Sequence, residues 1–139
     1  MHKKILHGLD GSEGSFKALR EAISLAKLYN AELHTLTVEE LRTYPETMDE
    51  VDEEKEAIES KYKEMIDKAN ELAKVDGIEI TPHFAYGHEV KEFIELINKE
   101  KFDLLVVGFM GHSKLYDRIW GGTSQNLTSL APCTVMVVK

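Results

Sequence analysis

Short apolar runs alternate with amphipathic stretches along the whole chain, and the period of the pattern switches between two residues and about 3.6. Residues 4–9 read as a first strand, and Asp10-Gly11-Ser12 as the turn after it. Ser12 is placed to cap a helix, with Glu13 in its positive first turn. Phe16, Leu19, Ala22, Ile23, Leu25, Ala26 and Tyr29 recur at helical spacing, which predicts a helix over 15–29 that Asn30 ends. Residues 32–38 predict a second strand, with Leu36 and Val38 on one face and Thr35 and Thr37 on the other. Beyond Pro45 a long amphipathic helix is expected, its stripe made by Val51, Ile58, Tyr62, Met65, Ile66, Ala69, Leu72 and Ala73, its end set by Asp76-Gly77. Ile78, Ile80 and Phe84 then alternate with Glu79, Thr81 and His83, and Pro82 demotes this third strand to a sheet edge because proline cannot donate to a ladder. Gly87 leads into a third helix with Val90, Phe93, Ile94 and Ile97 inward. Leu104-Leu105-Val106-Val107 is a fourth strand of the kind buried on both faces. A fourth helix starts near residues 121–124 and continues through Leu127 and Leu130, and residues 134–138 form the last strand.

Strands and helices in this alternation imply a parallel sheet with right-handed crossovers, covered on both faces: a doubly wound α/β fold. The 139 residues suit one domain, 1–139. Composition changes this picture little, since 42% hydrophobic and 30% charged residues are ordinary for a globular protein. Charge is uneven: ten acidic and two basic residues fall within 39–59, which accounts for the whole net charge of −8. A solvated acidic segment explains it without a basic partner. No basic stripe with interleaved aromatics occurs, which argues against nucleic acid. With no 18-residue apolar run, no membrane span is expected. The opening Met1-His2-Lys3-Lys4 runs straight into a strand rather than into a signal core, and Cys133 has no partner for a disulfide, so the expected location is cytoplasmic. Six scattered histidines show no metal-ligand spacing.

The candidate chemistry lies in residues 108–124, GFMGHSKLYDRIWGGTS, directly after the fourth strand. Gly108 and Gly111 let a backbone turn sharply or lie flush against a ligand. Gly121, Gly122, Thr123 and Ser124 begin a helix whose unpaired amides suit a phosphate. Neither of the common phosphate-loop patterns, Gly-x-x-x-x-Gly-Lys-Ser/Thr or Gly-x-Gly-x-x-Gly, is present. Instead Gly108, two residues, Gly111, nine residues and Gly121 with hydroxyls beyond resemble the ATP-binding signature of the universal stress protein family. Residues 3–12 (KKILHGLDGS), Gly87 with the helix after it, and the ending APCTVMVV also resemble that family; residues 39–77 carry nothing diagnostic.

That resemblance implies an adenine nucleotide alpha hydrolase-like fold with strand order 3-2-1-4-5, whose winding reverses between the first and fourth strands. Ligands in such sheets bind beyond the carboxyl ends of the strands at that point. It further implies ATP as ligand, with or without Mg2+, on a site containing Leu9, Asp10, Val38, Gly108, Gly111, His112, Gly121, Gly122, Thr123 and Ser124, with no catalytic residue assigned. Asp10 would accept from ribose or adenine or hold a metal through solvent, or else serve as an ordinary turn aspartate. Val38 would offer its backbone to the adenine edge, and Leu9 would line the apolar slot. His112, Lys114 and Arg118 either neutralise phosphate or are plain loop residues. At Gly122 the family pattern has a hydroxyl residue, and Ser124 fits the second hydroxyl position. A homodimer through the last strand, by Val135 and Val137, is also implied. The functions left open are an ATP-binding regulatory stress protein, a slow ATP hydrolase, and a nucleotide-free dimeric interaction module.

Overall fold

The computed structural model describes residues 1–40, 48–109 and 122–139. Its elements in chain order are β1 (Lys4–Gly8), α1 (Glu13–Tyr29), β2 (Glu32–Glu39), α2 (Met48–Val75), β3 (Ile80–Tyr86), α3 (Glu89–Glu100), β4 (Leu104–Gly108), α4 (Gly122–Leu130) and β5 (Thr134–Val138). The strands form one parallel sheet in the order β3-β2-β1-β4-β5. This is the expected doubly wound α/β topology. It follows from strands whose alternate residues are apolar on both sides, so that each face needs a helical cover.

Ile5 of β1, Leu33 of β2 and Leu104 and Val106 of β4 face α1 and α2, where they pack with Phe16, Leu19, Ile23, Met65 and Ala69. Leu6, Leu36, Leu105 and Val107 face α3 and α4, against Val90, Phe93, Ile97 and Leu127. Two-residue periodicity thus assigns each strand residue to one of two cores. Among the described residues, no helix is long and apolar enough to cross a membrane.

Local signals set most boundaries. Ser12 accepts from the Ser15 amide at 3.0 Å and caps α1. Asn30 ends that helix in the left-handed region at φ 52. The third strand begins at Ile80, two residues later than the alternation suggests. Ile78 is drawn instead into the end of α2, where its amide donates to the Ala73 carbonyl and that of Gly77 to Lys74, a Schellman closure. Pro82 does lie on an edge strand. The stripe predicted on α2 is the covered face of that helix: Met65, Ala69 and Ala73 are buried and Val51, Ile58, Tyr62, Ile66 and Leu72 half-buried, while most of the acidic residues in its first half are exposed. The fourth helix does run through Leu127, which is buried, to Leu130, which is exposed at 59%. Between β2 and β3, His34 Nδ1 and His83 Nε2 lie 2.9 Å apart in nearly parallel rings, so a single hydrogen is shared between two imidazoles.

Candidate functional site

At the carboxyl ends of β1 and β4 the winding direction reverses, and the chain is tied down there by short-range hydrogen bonds. The Asp10 carboxylate accepts from the Ser12 amide at 2.9 Å, closing an Asx turn. Gly11 supplies the positive φ of 85 that this turn needs. Ser15 gathers the turn onto α1: its amide donates to Ser12 Oγ, its own Oγ donates to the Ser12 carbonyl at 3.2 Å, and that Oγ accepts from the Asp10 amide at 3.3 Å. Asp10 therefore performs the turn role.

Gly108 ends β4 directly over this turn. A Cβ on Gly108 would lie 2.8 Å from both the carbonyl carbon and the carbonyl oxygen of Gly14 and 3.2 Å from the Ser15 amide nitrogen. The missing side chain is thus required by the protein's own backbone, before any ligand is considered. Leu9 is 2% exposed and belongs to the core under α1. Its amide donates to the Leu36 carbonyl at 3.0 Å and its carbonyl accepts from Thr37 Oγ1 at 2.8 Å, which locks the end of β1 to β2. Val38 is half-buried near the end of β2, on the other face of the sheet, opposite Ala85 of β3.

The structure therefore brings Leu9, Asp10 and Gly108 together at the switch point, with Val38 on the neighbouring strand end. Gly122, Thr123 and Ser124 are the first residues of α4. Amide groups of a first helical turn have no partner within the helix, so they are available to an anion. Gly111, His112 and Gly121, together with Lys114, Arg118 and Trp120, lie outside the described residues. Among the described residues, no group of three or more His, Cys, Asp or Glu side chains is arranged to hold a metal ion.

Three residues of this region escape a reading by motif: Ser15, Thr37 and His7. Ser15 and Thr37 are hydroxyls in otherwise apolar buried faces. Such placement signals a hydrogen bond to backbone but not its partner. His7 is the one titratable residue within the run ILHGL. It is fully buried, with Nε2 2.8 Å from the Ser15 carbonyl oxygen. Burial pushes its pKa down to about 4, against the opposing pull of the Ser15 carbonyl and the Asp10 carboxylate.

A small parallel sheet wound in both directions, with a turn aspartate and a close-packed glycine at the reversal, defines a doubly wound α/β domain. The profile of the universal stress protein family matches residues 1–139, and the chain belongs to that family. The universal stress protein YxiE of Bacillus subtilis is 30% identical, with all of both chains covered. UspA from Lactobacillus plantarum has the same fold at a TM-score of 0.89 and 22% identity, over 99% of this chain and 98% of that one. A universal stress protein solved in complex with cAMP matches with a TM-score of 0.75 and 26% identity, over 99% of this chain and 97% of that one.

Proposed function

We propose that this protein is a nucleotide-binding regulatory member of its family, taking ATP in the crevice beyond β1 and β4. The observation that carries the reading is the meeting of the Asp10 turn and Gly108 at the topological switch point, in a chain whose glycine spacing continues to the start of α4. The cAMP complex of a relative at 26% identity supports an adenine nucleotide as the class of ligand. In this reading Val38 offers backbone groups to the base, Asp10 accepts from the ribose, and Gly111 with the first amides of α4 receives the phosphates. His112 adds a donor beside them. Mg2+, where bound with ATP, would offset phosphate charge.

The direct test is to denature the purified protein and identify released nucleotide by mass spectrometry, with calorimetric titration of the emptied protein against ATP. Absence of nucleotide together with a flat titration would overturn the reading. Gly122→Ser should tighten ATP by up to about tenfold, since a new hydrogen bond to a charged acceptor contributes roughly 1.5–3 kcal/mol before the displaced water is deducted. A serine variant that is folded and binds no better would place the phosphates away from the start of α4.

The same reading includes a homodimer through β5. This strand is one edge of the sheet, and it lacks the proline that β3 carries on the other. An uncovered apolar edge recruits another strand, and pairing about a two-fold axis satisfies both copies. Val137→Pro, beside Val135 in the same edge, should convert a dimer into monomer or aggregate in sedimentation. An undisturbed dimer would move the interface elsewhere.

A further inference from the structure

His7 is costly to bury and has no part in the reading above. It sits in the middle of β1 between Thr35 of β2 and Val106 of β4, with no exposed surface. A carbonyl oxygen only accepts, so at 2.8 Å from the Ser15 carbonyl the Nε2 atom must carry the hydrogen. The neutral ring then presents Nδ1 as an acceptor, and Nδ1 has no hydrogen-bond partner. Thr35 Oγ1, its neighbour in register on the same face, has none either. An aliphatic residue would fill this core position without leaving a polar atom unpaired. The imidazole is compensated by one contact, and that contact falls on the residue that organises the Asp10 turn. Ser15 is held from three sides: Ser12 Oγ on its amide, the Asp10 amide on its hydroxyl, and His7 on its carbonyl.

We propose that His7 is a positioning residue for the crevice, fixing Ser15 from beneath and, through it, the Asp10 turn in the geometry that receives the ligand. This rests on the nucleotide reading for its functional consequence and on the hydrogen bonds alone for its structural one. Among the described residues, the charged group acting on the ring is Asp10; Thr35, Val106 and Ser15, which face it from β2, β4 and α1, are neutral.

The test compares the parent with His7→Val and His7→Gln. Valine fills the core and removes the donor; glutamine returns an N–H at a similar reach. With ATP as the titrant, His7→Val is expected to weaken binding roughly five- to tenfold, the size of one neutral hydrogen bond, and His7→Gln to restore most of it. Amide hydrogen exchange is read on the same proteins without ligand. Protection of the Asp10, Ser12 and Ser15 amides should fall in His7→Val while Leu33 and Leu105 in the central strands stay protected. If the parent takes up no ATP, the nucleotide reading fails by itself, and exchange still decides the role of His7. A folded His7→Val with parental affinity and parental protection of the turn would overturn the proposal. So would imidazole nitrogen shifts in the parent that report hydrogen on Nδ1 rather than Nε2.

Discussion

Gly108→Val is expected to yield no soluble folded protein, and Gly108→Ala to lower the unfolding free energy by about 1–3 kcal/mol, the usual cost of overpacking a tight contact. A Cβ there would stand 2.8 Å from the Gly14 carbonyl carbon and oxygen. These are backbone atoms in the first turn of α1, so relief requires moving the helix off the end of β4 rather than turning a side chain. Gly8, at the end of the adjacent β1, provides the control. Its added Cβ would meet the Phe93 ring at 3.1 Å and Val107 Cγ1 at 3.3 Å. Both are side-chain atoms that can retreat by a few tenths of an ångström, and Gly8→Ala should cost distinctly less. Urea titration of the two alanine variants measures the difference directly, from midpoints at equal slope. Equal stability of Gly108→Ala and the parent would mean that β4 does not press on α1 as described. The outcome also bears on function, because a glycine demanded by backbone packing is poor evidence for a ligand when taken alone.

Gly108 illustrates which parts of the molecule were legible beforehand. Strand and helix identities followed from period, because each inward residue has one of only two faces to occupy. The caps at Ser12 and Asn30 and the edge position of Pro82 followed from local chemistry that tertiary structure does not override. One boundary was not legible. Ile78 extends the alternation of β3 but is claimed by the end of α2, where Gly77 in the left-handed region directs its amide back to Ala73.

Within the candidate site, the strand order implied by the family resemblance put Asp10 and Gly108 at the switch point, whereas the reason for individual residues came only from partners distant in sequence. Thr37 reaches the Leu9 carbonyl across 28 positions, and β4 reaches Gly14 from nearly a hundred residues away. Asp10 could be read as a turn residue or as a ligand residue. Its Asx bond to Ser12 establishes the first of these.

Stability should fall on acidification more steeply than carboxylate titration alone provides, and His7 should be the main cause. The unfolded imidazole titrates near its ordinary value of 6.5, and the folded one is pushed down to about 4 by burial. A depressed folded value means the unfolded state binds the proton first. The stabilising contribution is therefore intact above about pH 6.5 and is lost progressively as pH falls toward 4. A gap of this size corresponds to roughly 3 kcal/mol across that window. His83 acts in the same direction, its pKa lowered by burial and then by the adjacent His34. Acid unfolding generally includes a carboxylate contribution, so the parent curve by itself does not isolate the histidine. The difference between parent and His7→Gln does, because the carboxylates and His83 are common to both. Urea unfolding at intervals from pH 7.5 to pH 4 should show the parent losing stability relative to His7→Gln as the pH falls, with the gap opening below about pH 6.5 and approaching roughly 3 kcal/mol near pH 4. Parallel curves down to pH 4 would mean that the ring takes up its proton in the folded protein at no penalty, and hence that it is not sealed between β1 and the first turn of α1.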